Sequence, residues 1–191
     1  MGLNRFSPMN RTSLLNYAIY NVGWLAAILG AAWDRPLTGF AIAAALTALH
    51  LWLATERAAE TRLVLMALGC GLVVEGIQVW SGTYRFTSGA LVAWMSPPWL
   101  LALWGQFATT FRYSLRGIMT NPARAALFGF LGGPIAFVAG ERLGAITLAQ
   151  PIWMGLARLA VTWSVSLWLC ARAAQDVTRG GTVGRYRGMG M

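Results

Sequence analysis

Six apolar stretches divide this chain, and they constrain its fold more than any other feature. Each is about 20 residues long, which is the length that a helix needs to cross the hydrocarbon core of a bilayer. Only 11% of the residues are charged and 57% are hydrophobic, whereas a soluble domain carries roughly 25% charged residues. The sequence therefore predicts an all-α, polytopic transmembrane bundle of about six helices. The predicted spans are Leu14–Trp33, Leu37–Thr55, Arg62–Trp80, Pro98–Met119, Ala123–Gly140 and Pro151–Ala171.

The spans form one predicted domain with a short flank on each side. We expect residues 1–13 to be a cytoplasmic N-terminal segment, 14–171 the six-helix domain, and 172–191 a basic, Gly-rich cytoplasmic tail. From Arg179 onward the tail lacks apolar periodicity, so we expect it to be disordered or loosely attached. The first apolar run is too long for the apolar region of a signal peptide, and it is predicted as the first transmembrane helix.

The distribution of basic residues predicts the orientation. All 15 are arginine, and cytoplasmic loops normally hold the excess of basic residues. With both termini cytoplasmic, only Arg35, Arg85 and Arg142 lie in outer loops, and Arg112 and Arg158 lie within spans. Because the arginines lie between apolar spans, the bilayer is the expected partner and nucleic acid is not. The inner arginines are Arg5, Arg11, Arg57, Arg62, Arg116, Arg124, Arg172, Arg179, Arg185 and Arg187.

The fourth span is predicted to be the centre of the bundle. At about 100° per residue, its polar side chains share one broad arc, and its aromatic side chains lie on the opposite arc. Because the neighbouring spans are apolar, we expect the polar arc to face inward and Phe111 and Leu115 to face lipid. The residues of the polar arc that we expect to be buried are Gln106, Thr110 and Tyr113. The candidate binding residues are Asn21, Gln106, Thr110, Arg112, Tyr113 and Arg158.

One polar cluster is predicted near the inner surface. Asn21 and His50 lie about seven residues from that surface, and Arg112 and Ser114 reach a similar depth. His50 is the only histidine, and Gly39, Ala43 and Thr47 share its helix face, so a neighbouring helix can approach closely there. His50 is either a hydrogen-bonded core residue or a catalytic acid or base.

A second polar group is predicted in the outer half of the bundle. Glu75 is the carboxylate that lies well inside a span, and Arg158 is its natural partner by depth; Gln78 and Gln106 lie nearby. An unpaired charge in hydrocarbon is costly, so Glu75 is expected to be either neutral or paired, with Arg158 as the partner. The pair is either structural, or Glu75 is part of a proton relay or a substrate-binding site.

Other site chemistry has little support in the sequence. Cys70 and Cys170 lie inside apolar spans, where a structural disulfide or a cysteine-ligated metal is not expected. At the membrane depth of His50, the sequence has too few His, Cys or carboxylate side chains to bind a metal. The glycines of the fifth span do not follow a strand, so they are expected to allow close helix packing and not to hold a phosphate. No cofactor and no metal are expected.

The longest loop, residues 81–97, is predicted on the outer side. Its middle, residues 89–95, is apolar but too short to span a bilayer. It either lies in the interface or forms a lid over a site.

These residues together resemble DUF2878, a family of bacterial inner-membrane proteins of unknown function. One departure is Arg112-Tyr113, where the family more often has Asn-His, so a role that depends on a second histidine does not carry over. The residues that carry the resemblance are Asn21 with Trp24, His50-Leu51, Glu75, Pro98-Trp99-Leu100, Leu103-Trp104, Phe107 to Thr110, Ser114-Leu115, Gly132-Gly133-Pro134, Ala139-Gly140 and Leu143-Gly144-Ala145.

The resemblance implies a small helical protein of the bacterial inner membrane. Family members tend to be encoded near lipid-modifying genes, which include cyclopropane-fatty-acid-synthase-like enzymes. The first functional hypothesis is therefore an accessory or lipid-binding protein that acts with lipid-modifying enzymes. The others are an integral-membrane enzyme that uses His50 or Glu75, and a small transporter or flippase. The sequence does not separate these three or give the oligomeric state.

Overall fold

The computed structural model describes the backbone of residues 11–92 and 94–187, and the side chains as far as residue 176. These ranges contain helices and two short strands. The elements are α1 (Arg11–Ala32), α2 (Pro36–Leu53), α3 (Arg57–Trp80), β1 (Tyr84–Phe86), α4 (Pro98–Ala108), α5 (Arg116–Met119), α6 (Pro122–Arg142), β2 (Ile146–Leu148) and α7 (Ile152–Arg187).

Five of the helices are long and apolar enough to cross a membrane. They are α1, α2, α3, α6 and the part of α7 that ends at Asp176. Their outward faces carry large apolar side chains: Leu65, Ile135 and Val161 are 62%, 67% and 58% exposed. An apolar surface of this kind is costly in water and favourable in lipid. The chain is therefore a membrane protein with transmembrane helices, as the sequence predicts.

The fourth predicted span, Pro98–Met119, is not one continuous helix. Helix α4 has 11 residues, so it covers only about 16 Å at 1.5 Å per residue. Residues 109–115 form irregular turns before α5. Because α3 ends and α6 begins at opposite ends of the bundle, residues 98–119 still have to connect the two ends. The six predicted crossings are five continuous helices and one interrupted segment.

The two ends of the bundle differ. At one end α2 stops at Leu53 and α3 starts at Arg57; we call this the basic end. At the other end β1 pairs antiparallel with β2, with Tyr84 opposite Leu148; we call this the ribbon end. The strand pair is a small departure from the all-α prediction, and it joins the α3–α4 loop to the α6–α7 loop.

The loop of residues 81–97 lies against the ribbon end. The Ser88 hydroxyl donates to the Ala31 carbonyl at 2.7 Å, and the Trp99 indole donates to the Ser88 carbonyl at 3.3 Å. Leu91 and Trp94 are exposed. The loop therefore does not span, and its apolar tip is free to lie in a membrane interface.

Small residues bring the helices close together. A Cβ added to Gly39 on α2 would lie 2.7 Å from the Cα of Ala27 on α1, and one added to Gly129 on α6 would lie 2.4 Å from the Trp163 carbonyl oxygen on α7. Ala43, one turn beyond Gly39, is fully buried. This close approach confirms the prediction made for the Gly39 face, and it is the usual packing of membrane helices.

The fourth segment is central, but its two faces are not divided as predicted. Gln106 and Thr110 are 1% and 0% exposed, as expected, while Tyr113 is half-buried. The prediction that Phe111 faces lipid is wrong, because Phe111 is 1% exposed. The regular rotation of 100° per residue stops at Ala108, so residues beyond it take directions that a continuous helix would not give them.

The C-terminal region continues as helix. Helix α7 runs to Arg187, where the sequence predicts an irregular tail from Arg179. Residues 188–191, and residues 1–10 of the predicted N-terminal segment, lie outside the described residues. The cytoplasmic placement of both flanks stays a prediction.

Candidate functional site

The interrupted turn, residues 109–115, is the feature around which a site can be built. Thr109, Thr110 and Phe111 are buried. The hydroxyls of Thr109 and Thr110 donate to the carbonyls of Gln106 and Phe107 at 2.7 Å and 2.6 Å. Such bonds compete with the helical pattern. In membrane proteins, irregular backbone at depth occurs only where protein buries it or where it lines a cavity.

Asn16 on α1 holds this turn in place. Its amide nitrogen donates to the Thr109 carbonyl at 3.1 Å. Its amide oxygen accepts from the Ser114 hydroxyl at 2.8 Å and from the Ser114 backbone N–H at 3.4 Å. One side chain on a neighbouring helix therefore pairs backbone groups that the missing helical turn leaves open.

An apolar cleft of about 330 Å³ lies on one side of the interrupted turn. Helices α1, α4, α6 and α7 supply its walls, and aromatic rings such as Tyr20, Trp104 and Trp163 form much of its lining. Tyr17 and Ile135 also line it, and they are 50% and 67% exposed on transmembrane helices. The mouth of the cleft therefore faces the bilayer and not water.

The end of the cleft nearest the basic end carries a few polar groups. Asn21, Thr110 and Ser114 line it there. Asn21 donates to the Tyr17 carbonyl at 2.8 Å, which is an ordinary bond within one helix. A mainly apolar pocket with a few polar groups is the general form of a small-molecule binding site.

A second, polar cavity of about 440 Å³ lies on the other side of the same turn, at the basic end. Arg112 and Tyr113 of the turn, Glu60 of α3, Arg116 of α5 and Gln175 of α7 line it. The interrupted turn is thus the wall between an apolar cleft and a polar cavity.

A charged network closes one side of the polar cavity. Glu60 is 1% exposed; it accepts from Arg112 at 2.9 Å and lies 3.2 Å from His50 Nε2. Arg112 also pairs with Glu56, and the Tyr113 ring meets the His50 ring edge-on at 5.1 Å between centroids. Each oxygen of the buried carboxylate has a cationic or hydrogen-bonding partner, which a buried charge requires.

This network replaces the inner cluster predicted from the sequence. Asn21 and His50 were expected to lie together, and that prediction is wrong: Asn21 bonds to Tyr17 and His50 to Glu60. The reason is that Asn16, five residues earlier on α1, is the residue that faces the turn. Of the predicted cluster, Arg112 and His50 do come together, around Glu60, and Tyr113, which was not assigned to the cluster, packs against His50. Ser114 bonds to Asn16 instead.

Glu75 has partners other than the predicted Arg158. It is fully buried, and it accepts hydrogen bonds from the Trp104 indole at 2.9 Å and from the Tyr84 hydroxyl. Burial, and then the charge and hydrogen bond of Glu75, raise the pKa of Tyr84 well above its usual 10.0. Tyr84 therefore stays protonated and remains the donor.

Arg158 instead binds the ribbon end. Its guanidinium donates to the Ser81 carbonyl at 2.9 Å, and the predicted ion pair with Glu75 is wrong. Gln78 donates to the Thr162 hydroxyl at 2.8 Å. The strand β1 brings Tyr84 to Glu75, so the acid is satisfied by neutral donors, and Arg158 is free to hold the end of α3. Neither Glu75 nor Arg158 lines either cavity.

Three contributing residues were missed by the sequence reasoning: Asn16, Glu60 and Arg116. Glu60 falls between the predicted spans Leu37–Thr55 and Arg62–Trp80, and the available signal was its position one helical turn after Glu56. Asn16 is a second polar residue on the first span, but nothing local distinguishes it from Asn21. Among the described residues, no group of three or more His, Cys, Asp or Glu side chains could hold a metal.

A family model described as "Protein of unknown function (DUF2878)" matches residues 13–169. This match covers most of the chain. The chain belongs to the DUF2878 family. The matched range of this DUF2878 protein includes Asn16, the interrupted turn and nearly all of the lining of both cavities; Ala174 and Gln175 lie beyond it. The chain has no match among curated proteins or among solved structures.

Proposed function

We propose that this protein is a lipid-binding, accessory protein of the bacterial inner membrane, and that a lipid chain enters the apolar cleft from the bilayer. The observation that carries the proposal is the cleft itself. It is mainly apolar, its mouth lies between transmembrane helices, and its wall is the buried interrupted turn.

Two features favour a lipid over a soluble ligand. A ligand that reaches the mouth at Tyr17 and Ile135 arrives from hydrocarbon, because both residues lie on exposed faces of transmembrane helices. The aromatic lining offers a large apolar area to an acyl chain or a ring, and such groups gain little from polar contacts. The few polar groups near Ser114 suit the ester or hydroxyl region of such a lipid.

A glycine in the cleft provides a direct test. A Cβ added to Gly132 meets only two Phe128 ring atoms at 3.9 Å, so Gly132→Leu extends a side chain into the cleft without a backbone clash. Gly69 on α3 is exposed and has nothing within 4 Å of an added Cβ, so Gly69→Leu is the matched control. Both replace a helical glycine by a strong helix former, which favours folding.

The measurement is the amount of lipid that stays with the purified protein. The wild type and Gly69→Leu should retain tightly bound lipid through detergent exchange, as seen by native mass spectrometry, while Gly132→Leu should lose most of it. Equal retention by all three proteins would refute lipid binding in the cleft. Lipid profiling of a strain that lacks the gene tests the accessory role, since that role requires a changed lipid composition.

The cellular placement is part of the same proposal. Both termini are cytoplasmic, and the basic end faces the cytoplasm, because the arginines concentrate there. A partner, if the accessory role is correct, is a lipid-modifying enzyme that co-purifies with the protein. Reporter fusions that place the C-terminus outside the cytoplasm would overturn this orientation.

A second candidate function is an enzyme, and the His50–Glu60 pair is the observation that favours it. The two side chains lie 3.2 Å apart, and a carboxylate beside an imidazole orients and strengthens it as a base. His50→Gln should reproduce the lipid change of the deletion strain if the protein is an enzyme of this kind. An accessory protein should keep its function in that variant as long as it folds.

A further inference from the structure

Two arginines line the polar cavity at the basic end, and within the described residues only one of them is paired with carboxylates. Arg112 and Arg116 both line it, and Glu60 is the one carboxylate in the lining that the structure describes. Glu60 already accepts from Arg112 and lies beside His50. The second terminal nitrogen of Arg112 is taken by Glu56.

Arg116 is the group left over. Its side chain forms no ion pair and no hydrogen bond with any residue in the described part of the chain. It is exposed at the mouth of the cavity, one turn after Arg112. A guanidinium presents several N–H donors in a planar fork, and that geometry matches a phosphate oxygen pair.

The rest of the lining also contains polar side chains, of which Gln175 donates to the Thr120 carbonyl at 2.9 Å and the Thr120 hydroxyl to the Gly117 carbonyl at 3.1 Å. Thr55, Thr120 and Gln175 lie around the same cavity, at the level where α2 and α5 end and α7 approaches the end of its apolar span. This is the level at which the headgroups of a bilayer leaflet lie. Apolar groups, among them Met119 and Phe111, form the remainder of the wall.

The position of the cavity relates it to the apolar cleft. Thr110, Ser114 and Leu115 of the interrupted turn line the cleft, and Phe111, Arg112 and Tyr113 line the polar cavity. We infer that the polar cavity binds the phosphate group of an anionic membrane lipid, with Arg116 as the main cationic contact. Arg112, which Glu56 and Glu60 hold in place, forms the base of this site. This inference rests on the proposed function, since it names the class of lipid that the cleft admits.

The test compares lipids that share acyl chains and differ in headgroup. The full-length protein in detergent micelles is titrated with phosphatidylglycerol or with phosphatidylcholine of the same chains, and binding is followed by native mass spectrometry and by the thermal unfolding midpoint. The wild type should bind phosphatidylglycerol more tightly. Arg116→Gln should weaken that binding about tenfold, as the loss of a charge-assisted hydrogen bond predicts.

Two variants control for folding and for surface charge. Arg116→Lys keeps the positive charge and should recover part of the affinity. Arg124→Gln removes an exposed arginine near the same end, on α6, that lines neither cavity, and it should bind as the wild type does. If Arg124→Gln weakens binding as much as Arg116→Gln, the effect is general surface charge and the inference is overturned.

The remaining outcomes separate this inference from the proposed function. Gly132→Leu should reduce binding of both lipids, since it blocks the cleft. If Gly132→Leu weakens lipid binding and Arg116→Gln does not, the proposed headgroup site is refuted and the proposal for the cleft is retained. If only Arg116→Gln weakens binding, the proposal for the cleft is refuted and the headgroup site is retained. If millimolar inorganic phosphate stabilises the protein as well as phosphatidylglycerol does, the ligand is a soluble phosphate compound and the lipid assignment is overturned.

Discussion

The indole nitrogen of Trp104 lies 2.9 Å from a carboxylate oxygen of Glu75, while the same tryptophan forms part of the wall of the apolar cleft. The buried acid therefore does not contact a ligand in the cleft directly. It fixes the orientation of the Trp104 ring, and this ring is the group that would contact the ligand. A Cβ added to Gly71, one turn before Glu75 on α3, would lie 2.5 Å from that ring, so this glycine lets the ring pack directly against α3.

Removing a donor from this acid should destabilise the protein. Tyr84→Phe takes away one of the two hydrogen bonds to Glu75 and leaves a buried carboxylate oxygen short of a partner, which costs about 1–3 kcal/mol. The thermal unfolding midpoint should fall. In Tyr84→Phe combined with Glu75→Leu, the additional effect of losing the hydroxyl should be smaller than in the wild type, because the two groups interact. Fully additive midpoint shifts would argue against the bond.

Arg158 should act independently of Glu75. Its contact is the Ser81 carbonyl, so Arg158→Leu weakens the ribbon end but leaves the acid with both of its donors. Combining Arg158→Leu with Glu75→Leu should give shifts of the unfolding midpoint that add. A double variant more stable than both single variants would instead indicate a buried ion pair.

The charged network should behave as a buried pair. Arg112→Gln removes the cation from Glu60 and leaves a buried carboxylate with His50 as its remaining described contact; breaking a buried pair typically costs about 3–5 kcal/mol. Glu60→Gln combined with Arg112→Gln should recover much of that loss. Little of the effect should come from Glu56, because its side chain is 47% exposed and exposed ion pairs contribute little. Folded yield and the unfolding midpoint measure the result.

Asn16 should control the order of the interrupted turn. Asn16→Leu leaves the Thr109 carbonyl and the Ser114 groups without this partner, so the turn should open more often. Amide hydrogen exchange of residues 109–115 should speed up several-fold. Asn21→Leu is the matched control: it removes a bond within one helix, and exchange in the turn should stay as in the wild type. Equal exchange in both variants would contradict the role of Asn16.

Close helix approach should limit substitution at Gly39. An added side chain there meets the α1 backbone at Ala27, which cannot move aside without separating the helices. Gly39→Leu should therefore lower folded yield sharply, whereas Gly69→Leu, with open space around it, should not. Fluorescence-detected size-exclusion chromatography of the two variants makes the comparison.

The sequence predicts the long elements well because each span carries its own signal. A run of about 20 apolar residues has to be buried in lipid wherever it lies in the chain, and five of the six predicted spans are continuous helices. The interruption after Ala108 was not predicted, because Thr109 and Thr110 are tolerated in helices. What stops the helix is a pair of side-chain bonds together with Asn16, a residue far away in sequence.

The partners of the polar side chains were harder to predict than their depth. Depth counting places Glu75 and Arg158 at similar levels, but it carries no information on which way a loop folds back. Tyr84 comes to Glu75 only because β1 pairs with β2, and three-residue strands have no pattern that sequence reasoning can read. The same limit explains why Glu60, at a helix start, was overlooked, although it lies against His50 and Arg112.

The short strand pair has a mechanical consequence for the cleft. Strand β1 lies in the loop that leads into α4, and β2 lies just before α7, so the strand pair ties together the approaches to two helices that form the walls of the cleft. The pairing therefore links these two helices at the ribbon end of the bundle. We therefore expect any widening of the cleft that admits a bulky chain to be greatest at the other end of its walls, beside the interrupted turn. Asn16 holds that turn, so the turn limits how far the cleft can widen.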